Sequence, residues 1–182
     1  MVKEQETDEQ LMARVLRGDR QPLDVLVRRY ANPLLTYLER MLLGDHHRAE
    51  ELFQDVFLRI WTKRGTYRRG RPFRPWMFAI AANVCRTSLR KRPPPTPSGE
   101  VFEAAAAGPS PHESAVAVES ANLVSQAIAR LSERQRTVVV LRVWNGLPYA
   151  EIASAVGCTE TTVRSHMHHG LATMRRFLEP VM

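Results

Sequence analysis

The chain has few cysteines and no long apolar run. Its 182 residues include only two cysteines, Cys85 and Cys158, which lie 73 residues apart among apolar neighbours. This spacing matches no metal-binding or redox motif, so we expect two buried free thiols and a reducing compartment, the cytoplasm. The longest apolar stretch, residues 76–82, is far too short to cross a membrane. The polar, acidic opening residues are the opposite of a secretory signal, so membrane insertion is not expected.

Motifs of enzymes and metalloproteins are missing as well. The sequence contains no Gly-rich phosphate loop, no paired catalytic carboxylates and no Ser/His/Asp arrangement, so an enzyme is not expected. His166, His168 and His169 lie close in sequence, but the last two are adjacent, point apart on a helix and have no fourth ligand nearby. We therefore predict neither a metal site nor a cofactor.

Acidic residues are absent from one long segment. Residues 56–99 contain no Asp or Glu but eleven Lys and Arg residues, whereas a solvated surface normally mixes both signs. The net charge of +7 divides into +8 for residues 1–92 (19 basic, 11 acidic), −3 for residues 93–118 (none basic, three acidic) and +2 for residues 119–182 (seven basic, five acidic). A basic face can simply aid solubility. The concentration of charge instead favours a polyanionic partner, of which nucleic-acid phosphate is the commonest.

A proline-rich segment divides the chain. Residues 93–111 carry six of the twelve prolines, together with Gly, Ser and an alanine run, and show no apolar period. Such a composition is typical of a flexible linker. We therefore predict two small domains, residues 1–92 and 119–182, joined by a Pro-rich acidic linker over residues 93–118.

Both domains are predicted to be all-α. In the first domain, a capping box at Thr7 begins a short helix, and apolar residues at three-to-four spacing predict a long second helix. Pro33 is expected to kink or divide that second helix. Asp45 caps a third helix, the basic loop of residues 64–75 follows, and the fourth helix covers residues 75–91.

In the second domain, one segment fits two kinds of structure. Three consecutive valines at 138–140, followed by Asn145 and Gly146, are compatible with a β-hairpin. A helix is favoured because Ser132 forms a capping box and because Pro148 would stand at the start of the second strand.

Residues 148–178 have the pattern of a helix-turn-helix. Gly157 tolerates the left-handed conformation of a tight turn, and Thr159 caps the helix that follows. In that helix the apolar residues lie on one face and the polar residues on the other. In a helix-turn-helix protein the second helix lies in the DNA major groove, with its early polar residues toward base edges. A plain helical hairpin with a polar outer face would show the same periodicity.

Four stretches, in order, resemble a bacterial sigma factor. Residues 49–61 and 73–92 resemble region 2 of these proteins, and residues 131–153 and 157–176 resemble region 4. With the expected spacing and linker, the chain is similar to the extracytoplasmic-function group, the minimal two-domain kind, over nearly its whole length. The resemblance implies a specificity subunit that binds core RNA polymerase, at its clamp helices and flap, and helps to open promoter DNA. It also allows an anti-sigma factor as a further partner.

The resemblance implies roles for individual residues. The positions expected to contact core polymerase, which would share one helix face, are Glu51, Gln54 and Asp55. The residues expected at the minus-ten element are Asn83, Arg86, Arg68, Arg69, Arg71, Arg74, Arg90 and Lys91. The residues expected at the minus-thirty-five element are Thr161, Arg164, Ser165, His168 and His169. Tyr67 and Phe73 are candidates to stack on unpaired bases, whereas Trp76 and Phe78 are expected in the core.

The sequence departs from the family pattern at several positions. Thr87 and Ser88 stand where many relatives carry an Asp, and Pro148 replaces the Ser or Thr that usually caps its helix. Two histidines replace an Arg or an aromatic residue in the recognition helix, which predicts a weaker or pH-sensitive minus-thirty-five contact. The alternative function is a stand-alone helix-turn-helix repressor or activator whose first domain serves dimerisation or sensing.

Overall fold

The computed structural model describes residues 6–91 and 111–179, and every regular element in these two ranges is helical. The prediction of an all-α fold is confirmed. We call residues 6–91 the N-terminal unit and residues 111–179 the C-terminal unit. The helices are α1 (Asp8–Val15), α2 (Gln21–Met41), α3 (His46–Thr62), α4 (Phe73–Lys91), α5 (Pro111–Ala129), α6 (Glu133–Val143), α7 (Tyr149–Val156) and α8 (Glu160–Leu178), with a 3₁₀ turn at Arg64–Thr66.

Helix α5 begins inside the segment predicted as linker. It starts at Pro111, so residues 111–118 are helical rather than extended. Proline is well suited to the first turn of a helix because the N–H it lacks would have no partner there. The other predicted linker residues, 93–110, lie outside the described residues.

The N-terminal unit is a bundle of α1 to α4 around an apolar core. The capping box at Thr7 is present, and the Asp45 side chain accepts a hydrogen bond from the backbone N–H of Arg48, so both predicted helix starts are confirmed. Pro33 does not divide α2, which continues to Met41. The helix persists because buried residues on either side of the proline, among them Tyr30 and Leu34, hold both halves against the core.

The C-terminal unit contains the predicted helix-turn-helix. The valines at 138–140 lie in α6 behind a capping box at Ser132, so the helix prediction is confirmed over the hairpin. Gly157 ends α7 with φ of 73°, a conformation that side chains disfavour, and the Thr159 hydroxyl caps α8. At Gly170 a Cβ would lie 3.0 Å from Val139 Cγ2, so this glycine lets α8 pack closely on α6.

The two cysteines lie in different environments, which predicts different reactivities. Burial raises the pKa of the Cys85 thiol to about 12, with a smaller contribution from Glu133. At pH 8 this thiol stays protonated, and its reactive thiolate is depleted roughly a thousandfold relative to a free cysteine. Cys158 is only half-buried. We therefore expect one rapid iodoacetamide alkylation, at Cys158, and a second only after denaturation, as mass spectrometry would show. Equal rates at both thiols in the folded chain would contradict this packing.

Candidate polymerase and nucleic-acid interfaces

Helix α3 presents a polar face opposite the core. Its buried residues include Leu52, Val56 and Ile60, which leaves the predicted polymerase contacts Glu51, Gln54 and Asp55 exposed. Their spacing of three and four residues places them on one side of the helix. We call this group the acidic face.

The acidic face also contains an exposed leucine, which is not among the residues predicted for it. Leu58 is 60% exposed and lies three residues after Asp55, four after Gln54 and seven after Glu51. A single exposed apolar side chain is common on protein surfaces, but this one adds to the acidic face an apolar area that a protein partner can cover. The sequence did contain a signal for Leu58, because its spacing places this apolar residue on the same helix face as the three polar ones.

The basic loop between α3 and α4 is anchored to the core by buried residues of its own. Tyr67 is buried, its hydroxyl donates to the carbonyl oxygen of Arg71, and its ring lies edge-on to Trp76 with centroids 5.1 Å apart. The carboxylate of Glu9 accepts a hydrogen bond of 3.1 Å from the backbone N–H of Phe73, at the start of α4. This anchoring leaves the basic side chains Arg68, Arg69 and Arg71 exposed.

Tyr67 and Phe73 are not available to stack on bases. Their relative exposures are 5% and 0%, because both rings form part of the core beneath the loop. Burial, assisted by the charges of Glu9 and Asp8, raises the pKa of Tyr67 to about 12 and keeps the phenol neutral. Phe78 is fully buried and Trp76 is partly buried against the core, as predicted for both.

The predicted minus-ten residues on α4 lie in two environments. Asn83, Arg86, Arg90 and Lys91 are exposed. Arg86 is nevertheless paired, because its Nε lies 3.2 Å from Oε1 of Glu133 in α6 and its Nη1 lies 3.4 Å from Oδ1 of Asn83. Arg74 is half-buried and donates to the backbone carbonyl of Asn145. Two of the predicted DNA-binding arginines are therefore engaged by the C-terminal unit.

A buried arginine, Arg48, contacts Ser88, one of the positions at which the sequence departs from the family pattern. Arg48 is 6% exposed, and its guanidinium donates to the Ser88 hydroxyl at 2.8 and 3.0 Å and to the Ser88 carbonyl at 2.6 Å. Thr87 bonds back to the carbonyl of Asn83 at 2.8 Å. Ser88 thus ties α4 to α3 and helps to set the direction in which the end of α4 points.

Helix α8 exposes all five residues predicted to face the minus-thirty-five element. Val163, Met167 and Gly170 are buried on its inner side. The exposed outer residues are Thr161, Arg164, Ser165, His168 and His169.

The Arg164 guanidinium is held in position. It lies 2.5 Å from the carboxylate of Glu160 and 4.6 Å above the Tyr149 ring. His169 Nδ1 lies 2.8 Å from the carbonyl of Ser165, one turn earlier in the helix. A side chain restrained in this way loses less conformational freedom when it meets a partner.

The described residues contain no metal-binding cluster and no helix that could span a membrane. Across residues 6–91 and 111–179, no group of three or more His, Cys, Asp or Glu side chains is placed to hold a metal ion. The helices in the same two ranges are all too short or too polar to pass through a lipid bilayer.

The described residues form an all-helical protein of two units, the second of which carries a helix-turn-helix, a motif of many DNA-binding proteins. The sequence matches the family description "Sigma-70 region 2" over residues 26–93 and "Sigma-70, region 4" over residues 121–174. The chain belongs to the sigma-70 family of RNA polymerase sigma factors, in the extracytoplasmic-function (ECF) group.

Full-length relatives support this assignment. The chain is 32% identical to the RNA polymerase sigma-H factor of Pseudomonas aeruginosa, over 98% of its own length and 97% of the relative. It is 28% identical to the ECF sigma factor SigW of Bacillus subtilis (90% and 92% of the two chains) and 28% identical to the ECF sigma-E factor of Escherichia coli K12 (100% and 99%).

Solved structures share the fold. A structure of CnrH in complex with the cytosolic domain of CnrY has a TM-score of 0.73 at 21% identity, covering 96% of this chain and 99% of that one. The sigma factor RpoE in complex with the anti-sigma factor NepR from Bartonella quintana has a TM-score of 0.66 at 23% identity, covering 86% and 96%.

The family settles the general function. The protein is a sigma factor, a transcription initiation factor that binds core RNA polymerase and directs it to promoter DNA. A stand-alone repressor or activator is not favoured, because the N-terminal unit matches region 2 of sigma factors.

Proposed function

We propose that three surfaces divide the work of initiation. The acidic face of α3 binds the polymerase clamp helices, the basic loop and α4 bind and open the minus-ten element, and α8 reads the minus-thirty-five element. In this scheme residues 1–92 and 119–182 act as separate domains and residues 93–118 connect them. The observation that carries the proposal is the exposure of an acidic, a basic and a mixed polar surface on three different helices of one small chain.

The acidic face suits a protein better than a nucleic acid. Glu51 and Asp55 would repel phosphate, and Leu58 offers apolar area that a protein groove can cover. Within the described residues, the Glu51 carboxylate makes one ion-pair contact, at 3.4 Å with the exposed His47. Little bonding must therefore be given up when a basic partner approaches.

The basic loop and α4 suit single-stranded DNA. Arg68, Arg69 and Arg71 provide positive charge along a backbone path, while the Asn83 amide can both donate and accept at a base edge. A base extruded from the duplex costs a few kcal/mol, which contacts in a protein pocket recover. With Tyr67 and Phe73 buried, Trp76, beside the loop, remains partly accessible.

Arg164 is the side chain on α8 with the geometry to read guanine. Its guanidinium can donate two parallel hydrogen bonds to the O6 and N7 atoms of that base. Arg164→Ala should cost roughly 1–3 kcal/mol at one base pair and relax the preference there. Competition binding of holoenzyme to promoters varied through the minus-thirty-five element would measure it, with Arg175→Ala, an exposed arginine in the last turn, as the matched control. An unchanged preference in Arg164→Ala would argue against this docking.

Three further expectations complete the proposal. The protein acts in the cytoplasm and catalyses no reaction itself, because its role is to position DNA for the polymerase. An anti-sigma factor is proposed as an additional partner, since one structure that shares the fold is a sigma factor in complex with the anti-sigma factor NepR.

Run-off transcription tests the proposed function. Purified core polymerase is incubated with a genomic promoter library, with and without the protein, and the products are sequenced. We expect a discrete set of start sites that appears only when the protein is present. The absence of any protein-dependent product would refute it.

A further inference from the structure

The imidazole of His169 is held against its own helix. Its Nδ1 atom lies 2.8 Å from the backbone carbonyl oxygen of Ser165, one turn earlier in α8, and 3.4 Å from the Ser165 hydroxyl. The ring of His168 lies edge-on to it, with the two centroids 5.6 Å apart. These contacts restrain the orientation of a side chain that is exposed on the outer face of α8.

The contact with the carbonyl decides which ring nitrogen carries the hydrogen. A carbonyl oxygen can only accept a hydrogen bond, so Nδ1 of His169 must donate and therefore carries the hydrogen. A neutral imidazole has a single N–H, so its Nε2 atom is left with a lone pair and can only accept. Within the described residues, no hydrogen bond engages this Nε2 atom.

The unused acceptor lies on the outer side of the recognition helix. The two nitrogens point to opposite sides of an imidazole ring, so Nε2 points away from the backbone that binds Nδ1. His169 follows Thr161 and Ser165 at intervals of four residues, and all three are exposed along one uncharged stripe. Arg164 belongs to the neighbouring stripe, and its guanidinium lies over the Tyr149 ring. Nε2 is therefore the polar atom that His169 offers to a ligand.

Base edges in the major groove differ in what they offer to such an acceptor. The amino groups at N6 of adenine and N4 of cytosine are donors, whereas O6 and N7 of guanine and O4 of thymine are acceptors. We propose that His169 is a specificity-determining residue of the minus-thirty-five contact, which accepts a hydrogen bond from the amino group of adenine or cytosine and disfavours guanine. This inference rests on the proposed function, because it names the chemical group that α8 recognises.

Arginine at position 169 should reverse the base preference, because its donors pair with O6 and N7 of guanine. Holoenzyme is bound at pH 8, which favours neutral imidazole, to promoters randomised through the minus-thirty-five element. At one position we expect the wild type to prefer adenine or cytosine over guanine about five- to tenfold, the range of one net hydrogen bond. His169→Arg should prefer guanine there. Gln126→Arg, which adds the same charge at an exposed position of α5, is the matched control and should keep the wild-type preference.

Base analogues identify the atom that is read and separate its two sources. In the preferred promoter, purine replaces adenine or 2-pyrimidinone replaces cytosine, and each analogue lacks the amino group. At the base in contact, the exchange should weaken binding by the wild type about five- to tenfold. The same exchange should hardly change binding by His169→Ala, which has already lost the acceptor. An equal loss in both proteins would overturn the proposal, because the amino group would then not be read by this side chain.

The position of the hydrogen on the ring is measured directly by NMR. In the full chain labelled with ¹⁵N-histidine at pH 8, long-range ¹H–¹⁵N correlations distinguish Nδ1–H from Nε2–H. The signals of His169 are assigned by their loss in His169→Gln. We expect Nδ1–H. Finding Nε2–H would overturn the proposal, because the outward nitrogen would then be a donor.

The binding assay separates failure of this inference from failure of the proposed function. Base preferences that are identical in the wild type and His169→Arg would contradict the inference, as would a wild-type preference for guanine at the position that His169→Arg changes. If neither protein prefers any base of the element while run-off transcription still depends on the protein, α8 does not read the element and the inference falls with that docking. Loss of every protein-dependent run-off product would instead refute the proposed function itself.

Discussion

Binding to core RNA polymerase is expected to be lost when Glu51 and Asp55 are both replaced by arginine. Each substitution turns a negative charge into a positive one on the exposed acidic face, so attraction to a basic partner becomes repulsion. Like-charge juxtaposition in an interface costs several kcal/mol, which corresponds to a loss of roughly a hundredfold or more in affinity. Because both side chains point away from the core, the fold should survive.

Biolayer interferometry on immobilised core polymerase would measure the loss. Circular dichroism and thermal unfolding of the same variant would show whether the helices are intact. Asp24→Arg with Glu179→Arg is the matched control, because it makes the same charge change at exposed positions outside the acidic face. Normal binding by Glu51→Arg with Asp55→Arg would refute the assignment of this face to polymerase.

Promoter opening should fail when Arg68, Arg69 and Arg71 are all replaced by glutamine. These side chains are exposed, while the loop beneath them is anchored by buried Tyr67 and Phe73, so charge is removed without disturbing the core. Each phosphate contact on a single strand contributes about 0.7 to the dependence of log affinity on log salt. Losing three contacts should therefore lower the slope of log affinity against log salt by about 2. In addition, the variant holoenzyme should no longer make the minus-ten thymines reactive to permanganate.

The control for the loop variant removes the same number of positive charges from other positions. Arg17, Arg28 and Arg175 are exposed arginines outside the loop and α4, and their joint replacement by glutamine should leave both the salt slope and permanganate reactivity intact. A loop variant with an unchanged slope would show that the strand follows another path.

The helices could be predicted because their signals are local. Ser132 and Gln135 form a capping box whose geometry depends only on neighbouring backbone, and this cap identified α6 as a helix despite its three valines. Gly157 likewise marks a turn by its own conformational freedom. The exposure of Arg164 and its neighbours on α8 followed from helical spacing alone.

The contacts that were missed are long-range. The buried Arg136 and Asn145 donate hydrogen bonds to backbone carbonyls that lie 95 and 112 residues away in sequence. No periodic pattern in the sequence indicates such contacts. Polar residues of these types are ordinarily exposed, so their burial is decided by tertiary packing. The burial of Tyr67 has the same origin, because the Gly- and Pro-rich loop around it has no apolar period.

Site-specific crosslinking in the initiation complex tests the assignment of surfaces to promoter elements most directly. A photoreactive benzoylphenylalanine replaces Arg69 in one sample and Ser165 in another, and the crosslinked nucleotides are mapped with core polymerase present and absent. We predict that residue 69 reaches the non-template strand of the minus-ten element and residue 165 the minus-thirty-five duplex, both only with core polymerase. Crosslinks from both positions to the same element, or equally strong crosslinks without core polymerase, would contradict the proposed division of labour.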